Sequence, residues 1–209
     1  MPRTKQIKYD KFKTDFWCLN YDYNDDALIA KTTIQKWTND YPKLMLELCA
    51  GYCEYSLDYA IKNPDTLCIA IDIKEDRLMF ANRLAREQGI KNLRFIRTYI
   101  NNIELLFESN VDVIYLVHPD PQVNKKRIRL NQPKFINNYY SSLKPGGELR
   151  LITDNNDFYD EFIKNIGSFG IQKNILNAEL DSEFEVLETR YNLKFITPDN
   201  PTKVLILKK

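Results

Sequence analysis

Apolar runs of strand length alternate five times with stretches of helical period along this chain, and that alternation limits its folds more than any single motif does. Leu44 to Leu48 reads as a buried strand, and Glu54 to Lys62 as a helix that Asn63-Pro64 ends. Thr66 to Ile71 is a second strand closing on Asp72, followed by a helix from Glu75 to Gln88 with Gly89 as its stop signal. Leu93 to Arg97 is a third strand and Asn101 to Glu108 a short helix. Val111 to Val117 is a fourth strand, the most apolar of all. Then come a helix from Pro133 to Leu143, a tight turn at Lys144-Pro145-Gly146-Gly147, a strand from Glu148 to Thr153 and a helix from Asp157 to Ile166. The tail, Glu185 to Phe195 and Lys203 to Lys208, reads as two strands joined by a proline-rich turn. Repeated strand-helix units require crossovers, and crossovers give a mainly parallel sheet. The expected class is α/β: a doubly wound, mainly parallel seven-stranded sheet with helices on both faces and a C-terminal antiparallel hairpin.

With 209 residues and 44% hydrophobic content, the chain fits one domain with a sizeable core. Residues 1–40 read as an extension, basic at its start, where Arg3, Lys5, Lys8, Lys11 and Lys13 face only Asp10. Residues 41–209 carry the α/β domain. Cys18, Cys49, Cys53 and Cys68 are scattered, and with no secretory signal in front they are expected to be reduced thiols in a cytoplasmic protein. The Cys49/Cys53 spacing hints at metal, but a single histidine and no second cysteine pair argue against zinc. No apolar stretch approaches the roughly 20 residues that span a bilayer.

In open α/β sheets ligands bind beyond the carboxyl ends of the strands, near the reversal of strand order. Acids recur at those ends: Glu47, Asp72, Asp120 and Asp154. Asp72 closes the second strand, where a carboxylate accepts hydrogen bonds from a ribose diol. The turn Cys49-Ala50-Gly51-Tyr52-Cys53 has one glycine, which permits close backbone approach, but lacks the glycines and the basic residue of a pyrophosphate site. A nucleotide cofactor without phosphates fits it better. In Pro119-Asp120-Pro121 two prolines restrict the backbone around one carboxylate, and Lys125, Lys126, Arg127 and Arg129 follow, a pattern suited to an anionic, electron-rich substrate. No Walker motif, nucleophile elbow or zincin motif occurs.

Five segments in one order carry a resemblance: Leu46-Glu47-Leu48 with Gly51, Ile71-Asp72-Ile73-Lys74, Pro119-Asp120-Pro121 with its basic run, Leu143-Lys144-Pro145-Gly146-Gly147 with Thr153-Asp154-Asn155, and Thr189-Arg190-Tyr191. Together they resemble the S-adenosylmethionine-dependent tRNA (guanine-N7-)-methyltransferase family over roughly residues 40 to 200. The resemblance implies a Rossmann-like methyltransferase, S-adenosyl-L-methionine as cofactor, tRNA as partner and methylation of guanine N7, with no obligate protein partner and a monomer or homodimer. It implies that Glu47, Gly51 and Asp72 hold the cofactor and that Asp120 lies between cofactor and base. It also implies that Asp154, Thr189, Tyr191 and Asn192 meet the guanosine and that Lys125 or Lys126 meets phosphate.

This chain departs from the family pattern at several positions. Cys49 and Cys53 stand where the family has glycines and are expected to crowd the methionine moiety. Tyr99 or Asn101 stands for an Asp after the third strand, Gln122-Val123 for an aromatic-proline pair, Asn192 for a Glu and His118 for an aromatic residue. The chemistry implied is an in-line displacement in which N7 offers a free lone pair, so alignment matters more than base catalysis. Asp120 is expected to act as a fixed negative charge beside the purine as it becomes cationic. Two alternatives remain: a degenerate RNA-binding homologue, and a methyltransferase of the same fold with another substrate.

Overall fold

The parity of each strand decides how the sheet is covered. In the computed structural model, which describes residues 15–22, 25–167, 173–174, 187–196 and 201–209, β2 (Lys43–Leu48) sends Leu44, Leu46 and Leu48 to one apolar cluster and Met45 to the other. β5 (Val111–Val117) does the same with Ile114 and Leu116 against Val113, Tyr115 and Val117. Strands apolar on both faces need helices on both faces. On the Leu46 side lie α1 (Ala27–Thr38), α4 (Ile103–Leu106), α5 (Pro133–Ser142) and α6 (Asn156–Ile166). On the Met45 side lie α2 (Glu54–Lys62) and α3 (Glu75–Glu87).

The remaining strands are β1 (Cys18–Asn20), β3 (Thr66–Asp72), β4 (Leu93–Arg97), β6 (Leu143–Thr153), β7 (Lys173–Asn174) and β8 (Lys203–Lys208). They order as β1-β4-β3-β2-β5-β6-β8-β7, parallel from β1 to β6, with β8 antiparallel to both β6 and β7. The doubly wound, mainly parallel architecture with an antiparallel C-terminal pair is the expected one.

Three local differences have physical causes. The short β1 brings the sheet to eight strands where seven were expected, by pairing Cys18 to Asn20 with Phe95 to Arg97. α1 starts at Asp26, whose side chain accepts the Leu28 N–H, and buries Ala30, Ile34 and Trp37 in the core. The last strand pairs with Lys173–Asn174 rather than with residues 185–195, because residues 190–195 are helical: α7 (Arg190–Phe195) is capped by Thr189. The Lys144–Gly147 turn is a bulge within β6, where Val111 pairs with Leu143 but Val113 with Glu148. A Cβ on Gly147 would stand 2.9 Å from the Val111 carbonyl oxygen, so the bulge needs glycine there. The basic residues Arg3 to Lys13 lie outside the described residues, as do residues 185 and 186.

Candidate active site

β2 and β5 are neighbours where the strand order reverses, and the segments that follow them border a cavity of about 350 Å³. That volume is within the range of small-molecule sites.

The β2–α2 turn forms one wall. Cys49, Gly51 and Cys53 are all left-handed, with φ of 59°, 51° and 60°. Glycine adopts this conformation freely, whereas a residue with a Cβ pays about 1–2 kcal/mol. The turn therefore keeps the alternating shape that glycines favour, although two of the three residues carry side chains. Cys53 is fully buried, its Sγ 3.7 Å from the Gly51 carbonyl oxygen, and does not line the cavity; Cys49 does. Of the two expected to crowd the site, only Cys49 borders it. Burial, with nearby carboxylates adding to it, pushes both thiols up, so they stay uncharged.

Glu47 shares Met45's face of β2 and reaches α2, where its Oε2 accepts the Ser56 N–H at 2.8 Å and the Ser56 O–H at 2.5 Å. α2 has no cap from its own first residue, so Glu47 supplies one from the sheet. Burial raises the Glu47 carboxyl to about 8, with the Ser56 bonds pulling the other way. Glu47 also lines the cavity. Asp72 does not: its oxygens accept the Gly51 N–H at 2.8 Å and the Lys74 N–H at 2.7 Å, bracing the turn from behind.

The end of β5 supplies Val117 and His118. His118 Nδ1 lies 3.2 Å from Asp154 Oδ1. Asp120 is exposed, and its oxygens accept the Gln122 backbone N–H at 2.9 Å and the Gln122 side-chain amide at 2.8 Å. The Pro-Asp-Pro turn thus holds its carboxylate against Gln122, outside the cavity lining.

Residues 189–195 close the cavity opposite the sheet. Thr189 caps α7 by accepting the Asn192 N–H at 3.2 Å, and its hydroxyl donates to Asn192 Oδ1 at 2.6 Å. Asn192 is engaged in this local cap, whereas Thr189 and Tyr191 line the cavity. The Tyr191 O–H donates to Asp154 at 3.2 Å, and its ring stacks on His118 with centroids 4.3 Å apart. Arg190 fastens the segment down. Its N–H donates to Glu54 Oε1 at 3.0 Å, and its guanidinium lies 4.7 Å from the Tyr52 ring centroid and 4.8 Å from that of Phe80.

One cavity thus gathers Glu47, Gly51, Thr189 and Tyr191 from the sequence-derived candidates. Asp72, Asp120, Asp154 and Asn192 stand behind or beside it. Lys125 is exposed on the loop after Asp120. Arg129 does not belong with that basic run: its side chain is buried, and Nη1 donates to Asp157 and Glu161, both at 2.8 Å. Tyr99 and Asn101 are exposed and do not line the cavity. Sequence reasoning missed three cations that do, Arg77, Arg190 and Lys194. Arg190 was legible as part of Thr-x-Tyr, and Arg77 by its place in the first turn after β3.

A family described as "Putative methyltransferase" matches residues 42–204. The tRNA (guanine-N(7)-)-methyltransferase of Christiangramia forsetii is 42% identical over 127 residues, which cover 57% of this chain and 56% of that protein. The protein of the same name from Bacteroides thetaiotaomicron is 36% identical over 146 residues, 69% of this chain and 56% of that one. The chain thus matches just over half the length of each. A 16S rRNA (adenine(1408)-N(1))-methyltransferase variant from Catenulisporales acidiphilia, solved with cosubstrate SAM, superposes with a TM-score of 0.59 at 14% identity, covering 88% of this chain and 90% of that one. That likeness shows the fold. A match over residues 42–204 takes in every strand from β2 to β7 and the whole cavity wall from Glu47 to Phe195, and the chain belongs to this methyltransferase family.

Proposed function

We propose that this chain methylates guanine N7 in tRNA, using S-adenosylmethionine. The observation that carries the proposal is the joining of the left-handed β2–α2 turn and Thr189–Tyr191 in one cavity at the strand-order reversal. The residues fit a zwitterionic cofactor: Glu47 lines the cavity as an acid, and Arg77, Arg190 and Lys194 line it as cations able to meet a carboxylate. Cys53 lies outside the lining, which speaks against a pocket filled by its own side chains.

Glu47 and the Gly51 turn would hold the cofactor, with Asp72 fixing the turn's shape. Bound there, S-adenosylmethionine would supply a methyl group activated by its sulfonium. The chain's own work is alignment, since the N7 lone pair is free and no proton leaves before attack. Tyr191 and Thr189 form the wall opposite the β2–α2 turn, where a base would enter. Asp120, outside the lining, contributes charge at longer range. The exposed Lys125 adds phosphate contact and hence salt-dependent binding.

Incubation of purified protein with methyl-labelled S-adenosylmethionine and tRNA lacking the modification tests this reading. Label at guanine N7 is expected. No transfer to any tRNA, together with no cofactor binding by calorimetry, overturns it.

A further inference from the structure

We propose that His118 is a specificity-determining residue, its Nε2 accepting the N1–H of the guanine held in the cavity, with Asp154 as the positioning residue behind it. The inference rests on the function proposed above and assigns the contact to the one histidine of the chain.

Four observations converge on that ring. His118 lines the cavity, whereas Asp154 does not. The His118 side chain is only 5% exposed, and its Nε2 is buried without a hydrogen-bond partner among the described residues. Burial lowers the ring's proton affinity, with Asp154 and Asn192 acting against it, so the ring is held neutral. Finally, the His118 backbone is left-handed, with φ of 40°, a conformation that a residue with a Cβ rarely adopts. Strain and an unsatisfied buried atom together mark a place where structure yields to function.

The tautomer follows from the neighbours. Asp154 accepts the Tyr191 O–H and lies 3.2 Å from His118 Nδ1, and a carboxylate offers only acceptors. Nδ1 therefore carries the proton of the neutral ring, and Nε2 presents a lone pair. Tyr191, stacked on the imidazole with a 24° tilt, fixes its plane. A lone pair in that position takes a donor. Guanine offers N1–H on its Watson–Crick edge, where adenine has an acceptor. Methylation at N7 makes the purine cationic and its N1–H a stronger donor, so the bond tightens as charge develops, which is the differential binding that speeds a reaction.

The chain has one histidine, so ring-labelled ¹⁵N-histidine gives a single pair of ring signals from the full-length protein. The free protein is expected to show a protonated Nδ1 and an unprotonated Nε2. Addition of a substrate tRNA transcript should move the Nε2 signal, and S-adenosylmethionine alone should leave it in place. A protonated Nε2, or a signal that moves with the cofactor and not with RNA, overturns the assignment. The kinetic arm compares transcripts carrying guanosine or 2-aminopurine riboside, which lacks N1–H, at the target position. Wild type should favour guanosine in kcat/KM, and His118→Phe, which keeps a ring against Tyr191, should reduce that preference at least tenfold. His118→Gln, with a carbonyl acceptor, should restore part of it. An unchanged preference in His118→Phe overturns the proposal. If wild type transfers nothing, the function proposed above fails, and the role of His118 is then decided by whether guanosine-bearing RNA moves the ring signal.

Discussion

The Gly51 amide donates to Asp72 Oδ2 at 2.8 Å, so the turn after β2 is tied to the end of β3. The same carboxylate takes the Lys74 N–H. Asp72→Ala should leave two backbone donors unpaired and destabilise the fold by about 2 kcal/mol in urea titration, each lost partner costing roughly 1–3 kcal/mol when buried. Cofactor affinity by calorimetry should fall at least tenfold as the turn relaxes. Asp72→Asn keeps one acceptor oxygen and should lie between the two.

Glu47 gives stability a pH dependence of definite sign. Its folded carboxyl sits near 8 against an ordinary value of 4.5, because burial disfavours the charge. Below pH 4.5 both states hold the proton and the contribution is complete. Between 4.5 and about 8 the unfolded chain releases a proton that the folded chain keeps, so stability falls as pH rises and levels off above 8. Glu47→Gln should flatten that slope in a series of Tm measurements from pH 5 to 9. In wild type at pH 7, a cationic ligand beside Glu47 should drive a proton off, visible as a buffer-dependent binding enthalpy.

Lys125 and Arg129 stand four residues apart and should behave oppositely. Lys125→Ala should leave stability unchanged and reduce the salt slope of RNA binding by about 1. Arg129→Met should leave that slope unchanged and destabilise the fold by about 1 kcal/mol, since the two carboxylates that lose their partner, Asp157 above all, reach solvent. A change of salt slope in the Arg129 variant would contradict its placement.

Cys49 can be tested through its backbone. Cys49→Gly relieves a left-handed residue but adds unfolded-state entropy, so stability should stay within about 1 kcal/mol of wild type. Cys49→Val should cost more, because a β-branched residue tolerates φ of 59° poorly. Urea midpoints order the three.

Arg190 is the clamp of α7. Arg190→Ala should speed amide hydrogen exchange across residues 190–195 while leaving the sheet's protection intact, because its stacking on Tyr52 and Phe80 is local to that segment. Equal loss of protection in β2 and β5 would contradict that.

The five strand-helix units were legible because their apolar runs are long and regular, and α2, β4 and β5 begin and end at the expected residues. α1 was missed although its signals are present, with Asp26 as cap and Ala30, Ile34 and Trp37 on one face. β1 has three residues and no periodicity to read. Residues 190–195 look strand-like by composition, but Thr189 bonding to Asn192 makes them helical, so local capping outweighed propensity. In the site, of the strand ends marked in the sequence, those of β2 and β5 border the cavity, whereas Asp72, Asn101 and Asp154 do not line it. Sequence order did not show which acids face the cavity, since Asp72 and Asp120 spend their oxygens on neighbouring amides.

The Tyr55 hydroxyl accepts the Leu187 N–H across 132 positions, and Glu54 meets Arg190 across 136. A growing polypeptide that has emerged only as far as β6 owns the glycine turn but not the segment that closes over it. Contacts of such separation form late and slowly. During synthesis the cavity is therefore among the last features to be completed, and a chain released early would carry an open cleft in place of a pocket.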